Sequence, residues 1–155
     1  MVVNKNEAAM DMILTFTSPS DAKAKMAAML ERKEKIMGFG HAVYRESDPR
    51  NNIIKAWSAR LAEENGDASL YDISVACEEF MWENKRLFCN ADFFHAPAYH
   101  YMGIPTKLFT PIFVCARLTG WAVHVMEQRG NNRIIRPSAD YIGAQLRKVP
   151  TIAER

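Results

Sequence analysis

Residues 35–50, KIMGFGHAVYRESDPR, set His41 behind a Gly-Phe-Gly turn, with Arg45 four residues on and Arg50 nine on. Glycines at 38 and 40 let a backbone approach a ligand closely and adopt positive φ. Cations beside an imidazole disfavour its charged form. A neutral imidazole is suited to polarising a carbonyl or relaying a proton. A histidine in such a loop can also be a hydrogen-bonded structural residue, but the flanking arginines weigh toward chemistry.

A second cation, Arg117, stands in the middle of the apolar stretch TPIFVCARLTGWAVHVMEQRG. A guanidinium inside an apolar helix is expensive unless a carboxylate or phosphate neutralises it. Its partner is either an internal Asp or Glu or a ligand carboxylate, which arginine grips with two parallel hydrogen bonds. Arg136, held before Pro137 in the irregular stretch NNRIIRPSADYIG, offers another cation. Asp92 lies between apolar residues in NADFF, where loss of water suits a carboxylate to general-base work, although a helix cap is an equal alternative. His95, His100 and His124 read as core or surface residues. The five-residue offset of His95 and His100, with no further ligands, does not make a zinc site.

The elements that must position these groups are helical almost throughout. NEAAMDMILTF places Ala9, Met12, Ile13 and Phe16 on one face, and SPSD starts a second helix running to about Lys35 with Ala24, Ala27, Ala28 and Met29 inward. Pro49 suits a first helical turn. The helix behind it repeats Ile54, Trp57 and Leu61 and stops at Gly66. LYDISVACEEFMWENK repeats Leu70, Ile73, Cys77 and Phe80, and LFCNADFFHAPAYHYMGIP opens as a loop, makes a short helix and ends at Gly103. The following helix has Thr110 as cap and Pro111 at its first position, and it is apolar nearly all round, so it should be buried on most faces.

Composition bounds the rest. A chain of 155 residues, 48% apolar and 25% charged, is a globular domain or slightly more than one, and a net charge of +2 creates no field for nucleic acid. Cys77, Cys89 and Cys115 are odd in number and embedded in apolar sequence, which indicates buried free thiols in a reducing compartment. No run of about twenty uncharged apolar residues is present, and the N-terminus lacks a basic region followed by an apolar core. The expectation is a soluble, cytoplasmic, all-α chain without membrane or nucleic-acid partners.

GFGHAVYRESDPR, NADFF, MGIPTKLFTPIFVCARLTGWAVHVMEQR and RIIRPSADYIG together resemble the C-terminal portion of the citrate synthase family. AYHYMGIPT, EQRGNNRIIRPSADY and the EAAM…FTSP lead-in resemble its 2-methylcitrate synthases more narrowly. The resemblance implies a helical small domain over residues 1–104 and a C-terminal segment of the large domain over 105–155. It implies condensation of oxaloacetate with a short acyl-CoA, with both as substrates and no cofactor or metal. By the same resemblance His41 polarises the oxaloacetate ketone and Asp92 is the catalytic base. Arg50 and Arg117 bind oxaloacetate carboxylates, and Arg136 is the arginine given to a neighbouring subunit's site. Met37, Gly38, Phe39, Gly40, Arg45 and Asn90 resemble the CoA site.

The pattern departs from the family at one end. Family members carry a second catalytic histidine in a His-Gly-Gly-Ala-Asn-Glu-like motif before the EAAM helix. Here Asn6 and Glu7 match, but Val2 stands at the histidine. Valine cannot donate a hydrogen bond. The expectation is a truncated or fragmentary synthase holding part of a catalytic site, whose apolar helix has lost its covering helices and favours self-association.

Overall fold

Helix boundaries follow the capping chemistry of the chain. The computed structural model describes residues 5–136, 138–140, 142, 143, 145 and 151–154. Among these, α1 covers Lys5–Ile13, α2 Pro19–Glu31, α3 Pro49–Asn65, α4 Ser69–Lys85, α5 Ala91–Tyr101 and α6 Phe109–Gly130. Ser18 precedes Pro19 and accepts the Asp21 amide at 3.2 Å, while Asp48 precedes Pro49 and accepts the Arg50 amide at 3.0 Å. Proline at the first helical position loses nothing, because that amide has no intrahelical partner anyway. Gly66 ends α3 in the left-handed region at φ 71°, and Gly103 follows α5 at φ 74°. The second helix stops at Glu31, short of Lys35. Lys33 turns left-handed at φ 56° and the Glu34 amide returns to the Met29 carbonyl at 2.9 Å, closing the helix.

The chain divides into two compact units, Met1–Thr119 and Gly120–Arg155. In the first, α5 is the central element, packed by both α1 and α3, while α2 packs on α4. Its Ala91, Phe93, Phe94, Ala96, Pro97 and Ala98 are all buried. Phe93 and Phe94 meet edge-on at 5.4 Å, and Met10, Ile13, Met26, Ile73, Cys77 and Phe109 complete the core. The expected faces of α1 and α4 are observed, with Met10 added to the first.

Two helices turn differently. On α2 the buried residues are Ala22 and Met26, and Ala24 is exposed. On α3 they are Asn51, Ser58 and Ala62, while Trp57 is 51% exposed. Small and polar residues hold that face because α3 lies close against α5; of the predicted apolar positions Ile54 and Leu61 are half-buried, Ile54 against the core, and Trp57 goes outward. Ser58 is fully buried and its hydroxyl has no hydrogen-bond partner among the described residues. Ser58→Ala should therefore raise stability by about 1 kcal/mol. The urea midpoint is the measurement, and a lower midpoint would mean that the hydroxyl is paired.

α6 overturns one expectation and meets another. Its buried residue is Phe109, whereas Val114, Leu118, Trp121, Val125 and Met126 are exposed by 44–64%. Burial on most faces, expected from composition, does not hold; the exposed apolar surface expected of a chain without the covering helices does. With the preceding 3₁₀ turn it spans Thr106–Gly130, long and apolar enough by length and composition to cross a bilayer, a test that a soluble protein's core helix also passes. Arg117 sits in its middle. Its start also differs: Thr110 does not cap, but donates its amide at 3.2 Å, and its hydroxyl, to the Glu7 carboxylate of α1. In the second unit, His124 lies 3.9 Å from Glu127 on the exposed end of α6.

Candidate functional site

The Gly-Phe-Gly turn is held by backbone pairing. Gly40 donates its amide to the Phe88 carbonyl at 2.8 Å and Asn90 donates to the Gly38 carbonyl at 2.9 Å, which sets Phe39 opposite Cys89 in a short antiparallel bridge. Asn90 ties the two segments again: its side-chain amide donates to the Gly40 carbonyl at 2.9 Å, and its side-chain oxygen accepts the Asp92 amide at 3.1 Å as the α5 cap. One side chain thus joins the loop that ends at His41 to the helix that carries Asp92. Gly38 is buried with φ +92°, and a Cβ there would lie 2.7 Å from the Phe93 ring, so glycine is required. Phe39 packs on Phe93 with ring centroids 4.7 Å apart.

His41 is half-buried, its ring 4.6 Å from that of Tyr44. Its Nδ1 accepts two backbone amides, from Val43 at 3.1 Å and Tyr44 at 3.2 Å. An acceptor nitrogen carries no proton, so the neutral ring holds its proton on Nε2. The arrangement presents a hydrogen-bond donor.

Asp48 is the residue that pattern reading passed over. Its side chain is fully buried, and it accepts four hydrogen bonds: the Arg50 amide at 3.0 Å, Arg50 Nε at 2.9 Å, Arg50 Nη2 at 2.7 Å and the Ala91 amide at 3.1 Å. The Arg50 guanidinium, and then the two amides, hold this carboxyl at about 2 against the opposing effect of burial. The signal was present in sequence as Asp before Pro, a helix-start pair. Arg50 is half-exposed and lies 5.6 Å over the Tyr44 ring. His41, Tyr44, Arg50, Asn90 and Asp92 are in this way linked through direct contacts and short chain steps.

Asp92 is half-buried in the first turn of α5, and burial, with the Asp92 charge beside it, pushes the Tyr99 hydroxyl up. Met37 is half-buried and Arg45 exposed. Arg117 lies on the exposed face of α6, with its guanidinium 4.5 Å over the Phe113 ring, so the cost of burying it does not arise in this chain. Arg136 is exposed in the second unit. His95 sits 2.5 Å from the Ala91 carbonyl through Nδ1, and His100 is exposed. Val2 lies outside the described residues.

Beneath the bridge, Lys55 and Asn51 of α3 both reach Glu78 of α4, and Lys55 lies 5.3 Å over the Phe94 ring. Cys77 and Cys89 are buried free thiols, as expected, and burial pushes both up, Cys77 to about 12. Cys115, expected to be buried with them, is exposed because α6 is. A thiol reagent should label Cys115 at once and the other two only after unfolding, as mass spectrometry would count. Native chain that labels at no site would show α6 covered by association.

Comparison with known proteins points to one family. A family model described as citrate synthase, C-terminal domain, matches residues 3–138. The chain is 69% identical over 150 residues to a 2-methylcitrate synthase of Shewanella oneidensis, covering 97% of this chain and 40% of that one. It is 44% identical to citrate synthase 2 of Bacillus subtilis, with the same coverage. Among solved structures, citrate synthase of Thermoplasma acidophilum, in ternary complex with carboxymethyl coenzyme A and oxaloacetate, superposes with a TM-score of 0.80 at 31% identity, over 97% of this chain and 42% of that one. The chain thus spans about two fifths of the length of these relatives. With the family model matched over most of its length, this chain belongs to the citrate synthase family, within the C-terminal domain.

Proposed function

We propose that this chain carries part of a condensing site that joins propionyl-CoA to oxaloacetate, giving 2-methylcitrate and free CoA. The observation that carries the reading is the hydrogen bonding of His41: two amides occupy Nδ1 and leave the proton on Nε2. Asp92 takes the proton next to the thioester carbonyl, and the enol carbon attacks the oxaloacetate ketone carbon. The ketone oxygen becomes an alkoxide held by the His41 Nε2–H hydrogen bond and takes up one proton, equal to the one Asp92 removes and in turn gives back to solvent; water then cleaves the thioester, releasing the CoA thiol and a carboxylate. Oxaloacetate is a dianion, so Arg50, Arg117 and Arg136 serve its carboxylates. Met37, Gly38, Phe39, Gly40, Arg45 and Asn90 face the CoA, and acyl-CoA is a substrate, with no further cofactor. Residues 1–104 form the small domain and 105–155 belong to the large one; the chain works as a homo-oligomer in the cytoplasm.

The 69% relative supports propionyl-CoA, and the 44% relative keeps acetyl-CoA as the second reading. One methylene alters binding by only about 1–3 kcal/mol, so the ratio must be measured. The test is release of CoA thiol with oxaloacetate and either thioester. Faster release with propionyl-CoA, reduced about 100-fold or more in His41→Ala, is expected. Val2 in place of a histidine supports a non-catalytic CoA- or dicarboxylate-binding module as the alternative. Ligand binding without thiol release from folded chain would favour that module, and neither binding nor release would overturn both.

A further inference from the structure

We propose that Asp48 is a positioning residue: its carboxylate locks the Arg50 guanidinium to the N-terminus of α5, so that a dicarboxylate meets a pre-set donor edge beside the helix bearing Asp92. This rests on the reading under Proposed function. A plain helix cap needs only the Arg50 amide, which Asp48 Oδ1 accepts at 3.0 Å. Asp48 does more. Oδ1 also takes Arg50 Nε, and Oδ2 takes both Arg50 Nη2 and the Ala91 amide, 43 residues away in sequence.

The consequence for Arg50 is geometric. Of the five N–H donors of a guanidinium, two are spent on Asp48, and the other three remain for a ligand. The Asp48 side chain is 0% exposed, whereas that of Arg50 is 51% exposed, so one edge is anchored in the interior and the other meets solvent. The Tyr44 ring, 5.6 Å from the guanidinium carbon, packs against its face and in turn touches His41. A long, flexible side chain is thereby ordered before any ligand arrives, which lowers the entropy lost on binding.

The test combines oxaloacetate affinity, by calorimetry, with amide and arginine Nε–H exchange by NMR on the full chain. Asp48→Asn should weaken oxaloacetate about tenfold or more while the helical circular dichroism is kept, because the charge-assisted pair is lost. Arg50→Lys should weaken it similarly, and adding Asp48→Asn to Arg50→Lys should cost nothing further. Independent, additive losses would overturn the proposal, since a cap would act whatever stood at position 50. If Asp48→Asn does not fold, the unaltered chain decides: Arg50 Nε–H should exchange more slowly than in free arginine, and equal rates would overturn the lock. Oxaloacetate binding unchanged in folded Asp48→Asn sinks the positioning role alone. A protected Nε–H in a chain that binds no oxaloacetate sinks the functional reading, and the positioning role with it.

Discussion

Gly38→Ala should destabilise the chain by about 3 kcal/mol, combining a left-handed backbone penalty of about 1–2 kcal/mol with the strain of overpacking. The added Cβ would lie 2.7 Å from Phe93 Cδ2 and 3.0 Å from Phe93 Cβ, at a residue whose φ is +92°. Phe93 cannot retreat, being fully buried between Phe39 at 4.7 Å and Phe94 at 5.4 Å. The turn must therefore move, and with it the Gly38 carbonyl that accepts the Asn90 amide. Gly40→Ala is the control. Its nearest neighbour is Leu87 at 3.7 Å, so only the backbone penalty at φ +69° remains, about 1–2 kcal/mol. Urea unfolding of both variants is the measurement, and a Gly38→Ala variant no worse than Gly40→Ala would refute the close approach.

Asp48→Ala is expected to cost about 3 kcal/mol, from a lost cap and a buried Ala91 amide left without its acceptor. Part of this is pH-dependent with a defined sign. The carboxyl sits at about 2 in the folded chain against 3.8 as its ordinary value, so folding favours its ionised form. The stabilisation is therefore complete well above 3.8, falls as pH drops below that value, and is gone below about 2. The gap corresponds to about 2 kcal/mol, reduced to about 1–2 because the Arg50 partner is half in water. Unfolding midpoints measured from neutral pH to pH 3 should show the wild-type advantage over Asp48→Ala shrinking with acid. An advantage that grows with acid would reverse the sign and sink the argument.

Much of the fold was legible because caps and periodicity agreed. Ser18-Pro19, Asp48-Pro49, Gly66 and Gly103 all fall at helix ends, and the Ile73 and Cys77 face of α4 points inward. α3 was misread because its close approach to α5 selects Ser58 and Ala62, while Trp57 and Ile53 are exposed; hydrophobicity marks the wrong side where two backbones come close. On α6, burial read from composition failed for the opposite reason, while the loss of its covering helices was legible. Its composition describes an environment that this chain does not supply, and Cys115 and Arg117 followed it to the surface. At the site, His41, Arg50 and Asp92 stood out by type, whereas the Asp48 lock and the double duty of Asn90 depend on pairings across 43 and 50 residues that no local pattern carries.

The bridge between Phe39 and Cys89 joins local function to global cooperativity. Asn90 and Ala91 make their bonds to the turn and to Asp48 at the very start of α5, the most buried helix of the first unit. The turn has no separate core of its own, so its hydrogen bonds cannot open as an independent unit without disturbing that helix. Amides of Gly40 and Asn90 would then exchange with solvent at rates set by unfolding of the whole unit. Any ligand that grips the turn would raise the melting temperature of the unit rather than merely quiet a loop.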